Sequence, residues 1–390
     1  MSVSISFFSN FFNRHQLPIA LELASCPGVR YSFVAMQRMD GLEGRQCLND
    51  DYPFVVRNYL GGPEADAALM HAREDDIVVF GDMAGDESYV RERAKAGKIF
   101  FRYAERLLKR GDWWALLPPK QYRTYNRFTR YNNANMYVLC SSGYTSRDLL
   151  KFGYPVEKCL KWGYFPQVDF APVKSREKFA SHSVALCSAQ RLISWKRVDL
   201  QIRLVEELDK LGIPFTFDIA GDGIELERLQ ELSCKLGVGD RVHFLGGLTS
   251  EETLALMSNS DIFLATSNRM EGWGATLNEA MASGCAVVAS NQIGAAPFLI
   301  KNNLDGLIFH SGDVKDLARA VSELVVNQEK LHSIAYAAMN KIRGIWSARC
   351  AAERLIEVSN RYLTDGKIIP FDDDGPLSAA KVIEEDWYLR

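Results

Sequence analysis

Short apolar runs recur along this chain with helix-length segments between them, and several end on Gly, Ser or Asp. VSISFFS (3–9), YSFVAM (31–36), DIVVFGD (76–82), KIFFRY (98–103) and MYVLCSS (136–142) form a first series. A second begins at Ser183 with SVALCSA and continues through FTFDIAG (215–221), RVHFLG (241–246), DIFLATS (261–267), CAVVAS (285–290) and GLIFHSG. Helices are expected over 17–25, 198–211, 224–236, 250–258, 276–283 and 314–326. Continuous apolar runs suit parallel strands buried on both faces, and their alternation with helices predicts an α/β chain. Two series predict two doubly wound Rossmann-like domains facing a cleft, with ligands beyond the carboxyl ends of the strands. The expected boundaries are 1–170 and 171–365. The tail, 366–390, is expected to pack back on the first domain. The segment 165–183, with two prolines and mixed charge, reads as the linker.

Composition excludes several classes. The 390 residues are 47% hydrophobic and 24% charged, enough for two cores. Net charge is −3, from 46 basic and 49 acidic side chains, which argues against broad-face nucleic-acid binding. Eight cysteines, with no CxxC pair and no Cys/His cluster at zinc spacing, predict reduced thiols in a cytoplasmic protein and no metal site. The first twelve residues lack the charge pattern of a signal peptide, and no apolar stretch reaches 18 residues.

The most informative stretch is Glu271-Gly-Trp-Gly-Ala-Thr-Leu-Asn-Glu279, after an expected strand and opening an expected helix. Gly272 and Gly274 permit close approach of a ligand to the backbone. Ala275, Thr276 and Leu277 should offer N–H groups at a helix N-terminus, where an anion is favoured. Glu271 and Glu279, flanking that position, suit sugar and ribose hydroxyls. Alone, the pair reads better as a solvated loop acid and an ordinary helix acid. Arg191 and Lys196, in the loop after the first strand of the second series, can hold a diphosphate. Gly221 and Gly223 make a tight turn, but Leu226 stands where a dinucleotide fingerprint needs Gly.

The order of Arg191…Lys196, IAGDG, VHFLGGL and EGWGATLNEAMASGCAVVAS resembles the retaining GT-B glycosyltransferases of family 4 (glycosyl transferases group 1) over 183–350. The resemblance implies a nucleotide-sugar donor domain. By it, Arg191 and Lys196 neutralise the donor diphosphate, Glu271 faces the donor sugar and Glu279 binds the ribose. Ala275–Leu277 cradle the sugar and distal phosphate, and Phe244, Leu245 and Gly246 lie at the base. It also implies retention of configuration, no metal cofactor, and a glycan or lipid-linked saccharide acceptor. Phe298 stands where the family usually has Glu, which reads as local repacking.

The first half resembles the family loosely. Its first loop, SNFFNRHQLP, lacks the family's Gly-Gly pair, and no His follows the fourth strand. His15, Arg102, Glu105 and Asp82 are the acceptor-side candidates. Residues 102–130 carry eight cations against two acids, among Trp113, Trp114, Leu116 and Leu117. That mixture suits an anionic membrane surface, or equally a solvated helical face with a core Trp pair. It lacks the stacking motif of a nucleic-acid site. The expected chain is therefore a cytoplasmic transferase, peripheral on the inner face of the membrane. Another GT-B enzyme, such as an epimerase or phosphorylase, and a non-catalytic nucleotide-sugar-binding protein remain as alternatives.

Overall fold

The computed structural model describes residues 2–38, 51–83, 85–166, 183–210, 212 and 214–389. Most of the expected linker, and Cys47, lie outside the described residues.

The chain divides into two compact units, Met1–Gln167 with Ile345–Ile383, and Val168–Gly344 with Glu384–Arg390. The first holds β1 (Val3–Ser9), β2 (Val29–Ala35), β3 (Val55–Arg57), β4 (Ile77–Phe80), β5 (Phe100–Ala104), β6 (Met136–Cys140) and β7 (Cys159–Lys161). Their order is β3-β2-β1-β4-β5-β6-β7, parallel throughout. The second holds β8 (Val184–Ala189), β9 (Phe215–Ala220), β10 (Val242–Gly246), β11 (Ile262–Ala265), β12 (Ala286–Ser290) and β13 (Leu307–Phe309), ordered β10-β9-β8-β11-β12-β13 and again parallel. Each sheet is thus the doubly wound arrangement of the GT-B folds. The order reverses between β1 and β4 and between β8 and β11, the two switch points where such sheets take ligands. The three-residue strands β3 and β7 were not anticipated; runs so short carry no readable period.

The central strands are buried on both faces, so polar residues within them need internal partners. Ser4 in β1 bonds the Asp76 carboxylate through its N–H and hydroxyl, each at 2.8 Å, and Ser6 donates to Asp75. Arg93, on the helix Ser88–Lys95, is fully buried. It donates to the carbonyls of Ile99 (2.7 and 2.9 Å), Asp75 (2.5 Å) and Asp76 (2.8 Å). These are the chain ends entering β4 and β5. Burial lowers its pKa to about 10, still charged at neutral pH.

The unit boundaries differ from those read in the sequence. The helix Ala348–Asp365, expected to close the second domain, packs on the helix Leu17–Ser25 and β1. Its buried face (Ala351, Ala352, Leu355, Val358) explains why. Its Arg354 then fixes the following loop, donating to the carbonyls of Asp374 and Pro376 at 3.1 Å and to the Asp373 carboxylate at 2.5 Å. Residues 377–380 lie antiparallel along the outer edge of β7, with Leu377 N–H to Lys161 O at 2.7 Å and Lys161 N–H to Ser378 O at 2.8 Å. An exposed sheet edge is thereby covered. The last residues belong instead to the second unit. There Asn291 and Gln292 donate to Glu385, and Trp387 Nε1 donates to Asn291 O.

Arg93→Met should leave several buried carbonyls without donors. We expect a loss of about 3 kcal/mol, measured as a lower urea midpoint at unchanged m-value.

Candidate functional site

In the second unit the groups flagged by sequence converge on the β8/β11 switch point. The loop after β8 carries Arg191 and Lys196, and the loop after β11 carries Glu271. Backbone bonds lock the two loops, with Asn268 N–H to Trp195 O and Glu271 N–H to Asn268 O, both at 3.0 Å. Lys196 and Glu271 form an ion pair, each side chain only 12% exposed. The ammonium also lies 4.5 Å from the Trp195 ring centroid. Arg191 is exposed.

A buried hydrogen-bond chain supports this arrangement. Gln201, inside the helix Val198–Lys210, accepts from Ser188 at the end of β8 at 2.9 Å. Its amide donates to Thr266 Oγ1 at 2.9 Å, and Thr266 donates to the Lys196 carbonyl at 3.0 Å. Ser188, Gln201 and Thr266 are all fully buried. Sequence reading missed them, because a polar residue on a helix's apolar face announces no partner 65 residues away.

The helix Ala275–Ala282 begins beside the ion pair. Gly274 has φ +93°, and a Cβ there would stand 3.0 Å from Ile293 Cγ2 and 3.4 Å from Glu271 Cγ, so the turn favours glycine. Leu277, expected to offer its N–H, donates it to Gly274 O at 2.9 Å. Among the described residues, Ala275 and Thr276 N–H donate to no other group at this end. Glu279 is half-buried one turn further in. The intervening Gly272 is buried, as is Trp273, which anchors the loop through Nε1–H to Asn278 Oδ1 at 2.9 Å and accepts Ala295 N–H at 2.9 Å. Phe298 packs on Trp273 at 6.4 Å between centroids, so the apolar residue at that position is part of the loop's anchor.

Besides the turn read in sequence, which Leu226 N–H closes on Gly223 O at 3.1 Å, Gly221 and Gly223 have a second use. A Cβ on Gly221 (φ +137°) would lie 1.8 Å from Gln190 O, and one on Gly223 would lie 2.2 Å from Leu192 O. They let the loop carrying Arg191 pass backbone to backbone, fixed by Leu192 N–H to Asp222 O at 2.8 Å. Gly221 N–H donates to Gly246 O at 2.7 Å, tying in the end of β10, where Phe244 is half-buried and Leu245 exposed.

The first unit holds its own cavity, of about 620 Å³, at the carboxyl ends of β1, β4 and β5. Of the acceptor-side candidates, His15, Asp82 and Glu105 line it and Arg102 does not. Strand alternation sends Arg102 to the face opposite Tyr103. There its fully buried guanidinium holds Glu87 bidentately at 2.7 and 3.0 Å. His15 stacks on Tyr164 (5.5 Å, 15°), which stacks on Tyr103 (5.9 Å, 11°). Burial, then the Arg14 charge, holds the His15 pKa below its usual value, so the ring is neutral at pH 7. Glu105 accepts from Tyr164 Oη at 2.6 Å and Lys109 at 2.7 Å. Tyr164 was missed, since it falls next to the prolines read as linker.

Gly221→Ala meets both a left-handed φ and a backbone oxygen. We expect a loss of at least about 2 kcal/mol, seen in calorimetry as a lower Tm.

Residues 172–341 match the family described as Glycosyl transferases group 1. A GDP-mannose-dependent alpha-(1-6)-phosphatidylinositol monomannoside mannosyltransferase of Mycobacterium tuberculosis is 26% identical over 193 residues, 48% of this chain and 50% of that protein. The chain spans about half the length of such curated relatives. Among solved structures, Anabaena Alr3699/HepE in complex with UDP aligns at TM-score 0.65 and 17% identity, covering 92% of this chain and 99% of that one. The lipopolysaccharide outer core galactosyltransferase WaaB, apo form, aligns at TM-score 0.65 and 18% identity, covering 94% and 100%. At such identities these structures speak to fold alone. Residues 172–341 of this chain thus resemble the glycosyl transferases group 1 family, and the two parallel sheets share the fold of the solved GT-B-type structures.

Proposed function

We propose that this chain is a retaining glycosyltransferase that needs no metal. In this reading it moves a sugar from a nucleotide-sugar donor to a glycan or lipid-linked saccharide acceptor, in surface polysaccharide synthesis at the cytoplasmic face of a membrane. The observation that carries the reading is the locked pairing of the Lys196 and Glu271 loops beside the helix at Ala275, inside the stretch that matches the family. The mycobacterial relative's name, GDP-mannose-dependent, supports a nucleotide-sugar donor.

In this reading the second unit binds the donor. Arg191, Lys196 and the Ala275–Thr276 N–H groups hold the diphosphate. Glu271, relieved of Lys196 by the incoming phosphates, accepts from the sugar hydroxyls. Glu279 accepts from the ribose, and Phe244–Gly246 lie at the base. The bond between the anomeric carbon and the diphosphate oxygen breaks, and its electron pair leaves with the diphosphate. The acceptor hydroxyl oxygen bonds the anomeric carbon on the same face, and its proton passes to the leaving phosphate oxygen. Fixed cations facing the developing charge make the largest contribution to rate. The first unit binds the acceptor, through Glu105, His15 and Asp82. No described helix is long and apolar enough to cross a membrane. Docking on an anionic surface is assigned to exposed Trp113, Leu116, Tyr122 and Tyr125, with the exposed Arg110 and Arg130 of the same stretch.

A thermal-shift screen of nucleotide sugars should find one that adds about 2.7 kcal/mol at 100 times its Kd. Lys196→Ala and Glu279→Ala should each weaken it about tenfold or more, and turnover should survive EDTA. If no nucleotide sugar binds, the reading fails; binding without turnover favours the non-catalytic alternative. For membrane docking, the chain should float with phosphatidylglycerol vesicles at low salt and lose most of that binding in Trp113→Ala/Leu116→Ala. Absence of flotation removes the membrane assignment.

A further inference from the structure

The cavity of the first unit is charged in a way that its own acids do not balance. Arg106, Lys109, Lys120, Arg123 and Arg127 line it, against Asp82 and Glu105. Glu105 is engaged by Lys109 at 2.7 Å. Asp82, 61% exposed, approaches Arg127 only to 4.0 Å. Glu87 lies 3.6 Å from Arg127, but Arg102 already holds it bidentately. Among the described residues, neither Lys120 nor Arg123 has an acidic partner within salt-bridge distance, although the buried Asp148 carboxylate attracts Lys120 from further away. Lys120, Arg123 and Arg127 lie three and four residues apart on the helix Pro118–Arg127, along one side of it. Like charges at that spacing repel, and here they are gathered at a concave surface. Burial, then the Arg123 charge with Arg127 and Lys109 behind it, lowers the Lys120 pKa against an opposing pull from Asp148, the response of an ammonium in a partly dry site where cations outnumber acids. Trp114, whose ring lies 5.3 Å from the Lys120 ammonium, and the His15–Tyr164–Tyr103 stack add flat apolar walls. Glu105 faces the same space as an acceptor for hydroxyls.

We propose that this cavity takes a phosphorylated saccharide acceptor, its phosphate held by Lys120, Arg123 and Arg127 and its sugar ring by Trp114 and Glu105. The inference rests on reading the first unit as the acceptor-binding unit. A guanidinium fork pairs bidentately with phosphate oxygens, and such charge-assisted bonds are about twice as strong as neutral ones. A cavity of this volume holds a saccharide with its phosphate. The phosphate has two sources, a soluble sugar phosphate or a phospholipid-linked sugar at a membrane. The same cations serve both.

The test is calorimetric titration of the full chain with glucose 6-phosphate and with glucose, and co-flotation with phosphatidylglycerol and phosphatidylcholine vesicles. The sugar phosphate should bind at least about tenfold tighter than the sugar. That advantage should vanish in Lys120→Gln/Arg123→Gln, return in Lys120→Arg/Arg123→Lys, and persist in Lys196→Ala. If glucose 6-phosphate shows no advantage but adding Lys120→Gln/Arg123→Gln to Trp113→Ala/Leu116→Ala lowers phosphatidylglycerol binding below that of Trp113→Ala/Leu116→Ala alone, the phosphate comes from a lipid. The proposal is overturned if neither probe responds to Lys120 and Arg123 in variants that melt like the parent. It is also overturned if the phosphate advantage is lost only in Lys196→Ala, which would place it in the second unit. Nucleotide-sugar binding, measured separately in the same variant, should be unchanged. A chain that binds nucleotide sugar but shows no dependence on Lys120 and Arg123 thus fails this inference alone, whereas a chain that binds no nucleotide sugar fails the transferase reading.

Discussion

Burial of the central strands on both faces is the constraint from which the remaining features follow. In β1, β4, β8 and β11 nearly every side chain faces a helix layer, so none of these strands can present chemistry along its length. Functional groups are left to the loops at the carboxyl ends, and only where the strand order reverses do two such loops diverge to leave room for a ligand. The chain uses that position twice. It places Lys196 and Glu271 beyond β8 and β11, and His15 and Asp82 beyond β1 and β4.

The two sites are stabilised differently. In the second unit, precision comes from the backbone. Glycines at 221 and 223 allow loop-to-loop packing, and Ser188, Gln201 and Thr266 carry hydrogen bonds from the strand ends to the Lys196 carbonyl. Such buried, satisfied networks hold a loop in one conformation at the cost of tolerating few substitutions. In the first unit, the walls are side chains. A stack of His15, Tyr164 and Tyr103 faces a helix that carries three cations. A site built that way can change its ligand through a few substitutions while its strands remain.

Much of this could be read from residues alone. The runs VSISFFS and CAVVAS are strands because they are too short and too apolar for anything else, and β1 falls on Val3–Ser9 as the run predicts. The segment from Glu271 to Glu279 was legible because glycine, acid and helix start occupy fixed offsets within nine residues. The acceptor side was less so. Arg102 looked like a cleft residue at a strand end, but strand alternation turned it inward onto Glu87. The cations at 120, 123 and 127 read as an outer surface, with Trp114 either on it or in the core, since a sequence does not say on which side of a helix the rest of the unit lies. The structure puts them on a cavity wall.

By itself, the sequence determined the class of each unit, the parallel strands and the motif order of the second, because those depend on local period and short fixed spacings. Tertiary structure alone decided that the helix Ala348–Asp365 joins the first unit, that Gln201 supports Lys196, and that Tyr164 meets His15. Each of these joins groups far apart in the chain. Their meeting depends on which apolar faces find one another on folding, and no local pattern carries that information.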